Sequence, residues 1–170
     1  MIWWIIVGIV VLGGFVAFTG APYVPSLRRD IEQALGELYP VGASDTLVDI
    51  GSGDGVVLRA ASRRGARAIG YEIHPLLVLI SKWLSRRDAR VSIRWKNFWR
   101  STLPDETTIV YTFGDGRDIA RMYAYVEREA TRLGRAIYFV SYAFTVPSKT
   151  PVRQMGAHYL YKIQGLQEVA

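Results

Sequence analysis

The chain has 170 residues, half of them apolar, enough for one domain of ordinary size with a buried core and a short extension. It has no cysteine, which excludes disulfides, thiolate zinc sites and cysteine nucleophiles, and only His74 and His158 as imidazoles, so no metal centre is expected. The net charge is +6, with every charged side chain at or beyond Arg28; without a dense Lys/Arg run interleaved with aromatics, this excess ranks membrane proximity above nucleic acid, and no nucleic-acid partner is expected.

Ile2 to Phe18 is an unbroken apolar and glycine stretch of seventeen residues. As a helix it covers roughly 26 Å, slightly short of a hydrocarbon core of about 30 Å. Thr19 and Gly20 extend it, and Trp3 and Trp4 are placed to anchor at an interface. A cleaved signal peptide is the competing reading, but no Lys or Arg marks an n-region and Phe18-Thr19 make a poor cleavage site. Retained, residues 1–20 form a single transmembrane anchor, and Arg28 and Arg29 place the rest on the cytoplasmic or organellar-matrix side. Whether the segment is cleaved stays open.

Residues 21–40 read as a connector and a helix that precedes the main domain. Pro22 and Pro25 disfavour helix continuation. Ser26 is an N-cap for a helix to about Tyr39, with Ile31, Leu35 and Leu38 on one face, and Pro40 and Gly42 end it.

From residue 41 to 170 the pattern is one α/β domain. It opens on Leu47-Val48-Asp49-Ile50-Gly51-Ser52-Gly53-Asp54-Gly55, a buried strand running into a glycine turn and a helix from Val56 to about Arg64. A parallel strand ending in such a turn brings backbone N–H groups and a helix N-terminus to the carboxyl edge of a sheet, where ligands bind. Gly51 and Gly53 permit positive φ and close approach of backbone to ligand, and Gly55 lets the following helix pack tightly on the strand. The turn is G-x-G-x-G, not the G-x-G-x-x-G of a dinucleotide site. Asp49 and Asp54 would repel a pyrophosphate, whereas they suit the sulfonium and ammonium of S-adenosylmethionine. The next strand, Arg67 to Glu72, ends in a carboxylate about 20 residues beyond the glycines, where both ribose hydroxyls can be bound.

Downstream the elements alternate: a helix from Pro75 to about Arg86, a strand Val91–Trp95, a turn at Leu103-Pro104-Asp105 and a strand Thr108–Phe113. A helix from about Asp115 to Leu133 follows, with a core stripe of Ile119, Met122, Val126, Ala130 and Leu133. Strands at Arg135–Tyr142 and His158–Ile163 close the chain, the last pairing with a short one near Pro151–Gln154.

Tyr23-Val24-Pro25-Ser26, the segment Val48 to Gly55, and Gly70-Tyr71-Glu72-Ile73-His74-Pro75 together resemble the membrane-anchored seven-β-strand protein-lysine methyltransferases. That family includes mitochondrial enzymes modifying the adenine nucleotide translocase and the c subunit of ATP synthase. The resemblance spans roughly residues 20–163. It implies a Rossmann-like seven-stranded class I S-adenosylmethionine-dependent methyltransferase fold behind the N-terminal helix. It further implies that Asp49, Gly51, Ser52 and Gly53 line the cofactor's methionine part and that Glu72 binds ribose. Asn97 and Phe98 fall where the family has an acidic residue and an apolar one beside adenine; Phe98 and Trp99 either cover the ring or are ordinary packing. After the fourth strand, Phe113-Gly114-Asp115-Gly116 keeps a Phe-Gly likeness and then diverges.

In-line methyl transfer needs no enzyme nucleophile, only alignment of amine, methyl and sulfur. Tyr23, Phe113 and Asp115 are the candidates for the acceptor side; Asp115 either attracts or deprotonates the lysine ammonium, or is the N-cap of its helix. The expected function is methylation of a lysine on a membrane-associated protein, with the bilayer as a partner. Methylation of a lipid, quinone or small molecule near the membrane is the alternative, and a nonenzymatic nucleotide-binding or scaffold protein is a third reading.

Overall fold

The computed structural model describes Trp3 and residues 28–165. Helix α1 (Arg28–Gln33) runs into a single π-helical turn (Ala34–Leu38). There follow β1 (Thr46–Ile50), α2 (Val56–Arg63), β2 (Arg67–Glu72), α3 (Pro75–Leu84) and β3 (Val91–Trp95). The second half holds a 3₁₀ turn (Phe98–Arg100), β4 (Ile109–Phe113), α4 (Ile119–Leu133), β5 (Ile137–Tyr142), β6 (Arg153–Met155) and β7 (His158–Ile163).

The seven strands form one sheet in the order β3-β2-β1-β4-β5-β7-β6. Pairing is parallel from β3 to β5, and β7 enters antiparallel between β5 and β6. Strand β1 is buried along its whole length, as a central parallel strand covered on both faces must be. Its side chains alternate between two cores. Leu47 packs with Ile31, Leu35, Leu38 and Leu58 from the helices on one face. Val48 and Ile50 pack with Ile119, Tyr125 and Val126 of α4 on the other.

The expected elements recur, with differences at two helix ends. Ile31, Leu35 and Leu38 are buried as their spacing predicts, but the helix widens into a π turn before Tyr39. Helix α4 begins at Ile119 and not at Asp115, because the Asp115 main-chain carbonyl accepts from both Asp118 N–H and Ile119 N–H and forms a lead-in turn. The β3–β4 connection carries only a 3₁₀ turn, whose Phe98 and Trp99 pack on Tyr125 of α4 and help cover that face.

The single-pass membrane location expected from the sequence is corrected: no helix among the described residues is long and apolar enough to cross a membrane. The longest, α4, has 15 residues and carries Arg121, Glu127, Arg128, Glu129 and Arg132, which hydrocarbon would not accept. The apolar stretch proposed as the anchor, Trp3 apart, lies outside the described residues, as do Tyr23 and Ser26.

Candidate functional site

The carboxyl ends of β1, β2 and β4 meet where the chain order of the sheet reverses, with β2 on one side of β1 and β4 on the other. Ligands bind at such switch points. Gly51 leaves β1 at φ +84°, and its N–H and that of Ser52 both donate to the Tyr71 carbonyl of β2, at 2.9 and 3.1 Å. The turn is thus tied to the neighbouring strand. A Cβ placed on Gly51 would meet no atom within 4 Å, so the glycine borders open space.

Glu72 binds the turn from the second strand. One carboxylate oxygen accepts from Gly53 N–H at 2.9 Å and the other from His74 N–H at 2.7 Å. The side chain is buried, yet each oxygen keeps a lone pair for a further donor. Asp49, at the end of β1, is 3 % exposed, and no hydrogen bond reaches its carboxyl among the described residues. Burial, and then the negative charges of Glu72 and Asp54, push its pKa well above the usual carboxylate range. Asp54 has a different role from the one its place in the turn suggested. It accepts from Val56 N–H at the start of α2 and pairs with Arg59 at 3.5 Å, whereas no ion pair is made by Asp49 or Glu72 among the described residues.

The Ser52 Oγ is turned inward to Gly70, where a Cβ would sit 2.5 Å from it. The same Cβ would meet Leu58 of α2 at 2.6 Å, so Gly70 is the glycine that lets α2 close on the sheet. Gly55 was expected to do this. It instead starts α2 at φ +81° and makes room for Ser81 of α3. Asn97 caps the 3₁₀ turn, its side-chain oxygen accepting from Trp99 N–H at 3.0 Å. Phe98 stacks on Trp99 with ring centroids 4.3 Å apart, an arrangement that serves packing whatever else it does.

On the β4 side, Tyr111 pairs with Asp49 in register, so Phe113 emerges level with the glycine turn. Its ring lies 5.3 Å from that of Tyr142, its register partner on β5. Nothing in the sequence marked Tyr142, because the contact is made only by strand pairing. Asp115 follows, ion-paired to Arg117 at 2.6 Å, and that guanidinium, with the Arg117 N–H, holds its carboxyl down at about 2. The group stays ionised through the neutral range and takes no proton there. The structure therefore brings Asp49, Gly51, Gly53, Glu72 and Phe113 to one sheet edge, sets Asp115 just beyond, and leaves Asn97 and Phe98 in the turn after β3.

The family model described as the ANTKMT methyltransferase domain matches residues 49–153. The chain belongs to that family. Among its relatives, the human lysine N-methyltransferase of the ATP synthase c subunit is 32% identical over 133 residues, covering 76% of this chain and 54% of the relative. The Mus musculus adenine nucleotide translocase lysine N-methyltransferase is 38% identical over 88 residues, covering 49% of this chain and 38% of the relative. The chain thus spans about half the length of the curated relatives it matches. Among solved structures, an RNA methyltransferase from Salinibacter ruber in complex with S-adenosyl-L-homocysteine superposes with a TM-score of 0.75. It is 25% identical, and the match covers 86% of this chain and 98% of that one. The mixed seven-stranded sheet is that of class I S-adenosylmethionine methyltransferases.

Proposed function

We propose that this ANTKMT-family chain is an S-adenosylmethionine-dependent protein-lysine N-methyltransferase, with residues 41–170 as its methyltransferase domain. The observation that carries the reading is Asp49: a buried carboxyl without a hydrogen bond among the described residues, beside the open space at Gly51. A cation bound there offsets the field of Glu72 and Asp54 that raises the Asp49 pKa. S-Adenosylmethionine fits this donor set. Gly51, Gly53 and Asp49 would hold its amino-acid part, the spare lone pairs of Glu72 its ribose, and Asn97 and Phe98 the adenine. The cofactor supplies an electrophilic methyl on sulfonium, so that a carbon–nitrogen bond forms as the carbon–sulfur bond breaks.

The rest falls to the acceptor side. Phe113, with Tyr142 against it, is proposed to form the acceptor wall, and Tyr23 is proposed for the same wall. Asp115, being fixed as an anion, draws the lysine ammonium electrostatically, and the ammonium loses its proton to solvent. The names of the relatives support a protein lysine as acceptor; a membrane-associated target is proposed from the basic charge of the chain.

Two measurements test this. Titrating the folded chain with S-adenosylmethionine should give saturable binding that Gly51→Arg abolishes, since the arginine fills the open space with a side chain and a positive charge. Supplying labelled cofactor and membrane fractions should put label on lysine in protein. Absence of binding to the wild type rejects the enzyme, and label confined to lipid rejects the lysine acceptor.

A further inference from the structure

Helix α3 is amphipathic with its faces reversed. Leu76, Leu79, Ile80, Trp83 and Leu84 recur at the spacing of a core-facing stripe, yet all five are exposed, Leu79 at 65% and Trp83 at 64%. The seam that faces the domain is His74, Val78, Ser81 and Ser85, with Ser81 wholly buried against Gly55. Beside the stripe, Trp95 of the edge strand β3 is equally exposed and donates its indole N–H to the Ile73 carbonyl at 2.9 Å. Exposed Ile73 links the two. A contiguous apolar patch of this kind marks a surface that meets another phase or partner.

The charge around it indicates which. Residues 73–100 contain seven Lys or Arg (Lys82, Arg86, Arg87, Arg90, Arg94, Lys96, Arg100) and a single acid, Asp88. This segment alone carries the net +6 of the whole chain, and the remainder is balanced. Arg86 also lies over the Trp83 ring at 4.9 Å, keeping a cation at the border of the apolar stripe. A second copy would bring the same positive field against itself. A nucleic acid would match the charge but leave five aliphatic and aromatic side chains against sugar and phosphate.

We infer that α3 and the adjoining edge of β3 dock on an anionic lipid surface, the stripe entering the headgroup region and the cations pairing with lipid phosphates. Ten residues of helix measure about 15 Å, so α3 lies in the interface plane and does not span it. Ile73 directly follows Glu72, so docking sets the cofactor side of the domain close to the lipid. The inference rests on surface chemistry and is independent of the methyl acceptor.

The absence of cysteine gives a clean test. Leu79→Cys in the full chain takes one environment-sensitive fluorophore, and Gln154→Cys on β6, at the opposite end of the sheet, takes the same label as control. With phosphatidylcholine vesicles containing about one third phosphatidylglycerol, the label at position 79 should shift to the blue, while that at 154 should not. Phosphatidylcholine alone should produce far less shift. Arg86→Gln with Arg87→Gln should weaken the titration about 30-fold, from roughly one kcal/mol per cation. The inference is overturned by any of three results: label 79 unshifted while the chain sediments with vesicles, label 79 already blue without them, or an RNA duplex producing the shift in their place.

Discussion

Asp49 concentrates the chemistry of the site in one group. Its folded pKa lies above the ordinary 3.8, first because it is buried and then because Glu72 and Asp54 are near. Such a carboxyl favours the fold while protonated, so its contribution is present below pH 3.8 and is lost as pH rises through the raised folded value. Asp49→Asn should therefore stabilise the unliganded protein at pH 8, by about 1 kcal/mol or roughly 3 °C in Tm, while weakening cofactor binding at least tenfold. Thermal melts with and without cofactor measure both, and a destabilised variant contradicts the assignment. Asp115 behaves oppositely. Arg117 holds it down at about 2, so Asp115→Asn should lower kcat/KM for a lysine substrate about tenfold at every pH from 6 to 9, with cofactor affinity unchanged. A change in the slope of the pH profile would identify it as a base instead.

Among the elements, the fit of α2 against β2 depends on Gly70. An alanine there puts a methyl 2.5 Å from Ser52 Oγ and 2.6 Å from Leu58 Cδ1, and Leu58 is wholly buried and has nowhere to go. Gly70→Ala should cost about 2 kcal/mol, read as a lower urea midpoint, and should loosen the glycine turn through Ser52. Gly42→Ala is the contrast. No atom lies within 4 Å of its Cβ position, so the change should be neutral or slightly stabilising, by up to about 0.5 kcal/mol. Comparable losses in the two variants would show that the close approach at Gly70 is not what matters.

For the whole molecule, the antiparallel insertion of β7 closes the sheet and carries a buried imidazole with it. His158 Nε2 lies 2.9 Å from the Tyr111 hydroxyl, and burial pushes its pKa down to about 4. A histidine depressed in this way stabilises the fold fully above its unfolded value of 6.5 and loses that contribution as pH falls to about 4. Unfolding should take up close to one proton in that window, with about 3 kcal/mol of stability lost, and His158→Gln should flatten the dependence. Much of this molecule was legible in the sequence. The ends of β1, β2 and β3, the glycine turn, Glu72 and the family likeness are set by local signals: apolar runs, glycines and the residues at strand ends. Periodicity gave no such guidance for α3, where a regular apolar stripe faces solvent and Ser81 and Ser85 face the core. Nor did it separate Asp49 from Asp54, equally acidic in sequence but one left without a hydrogen bond among the described residues and the other spent on α2 and Arg59. Strand pairing alone set Phe113 against Tyr142. Sequence determines what each segment can form, since helix, strand and turn are local choices. Which face is buried and which carboxyl accepts hydrogen bonds among the described residues depend on neighbours distant in the chain, and only the assembled sheet supplies those.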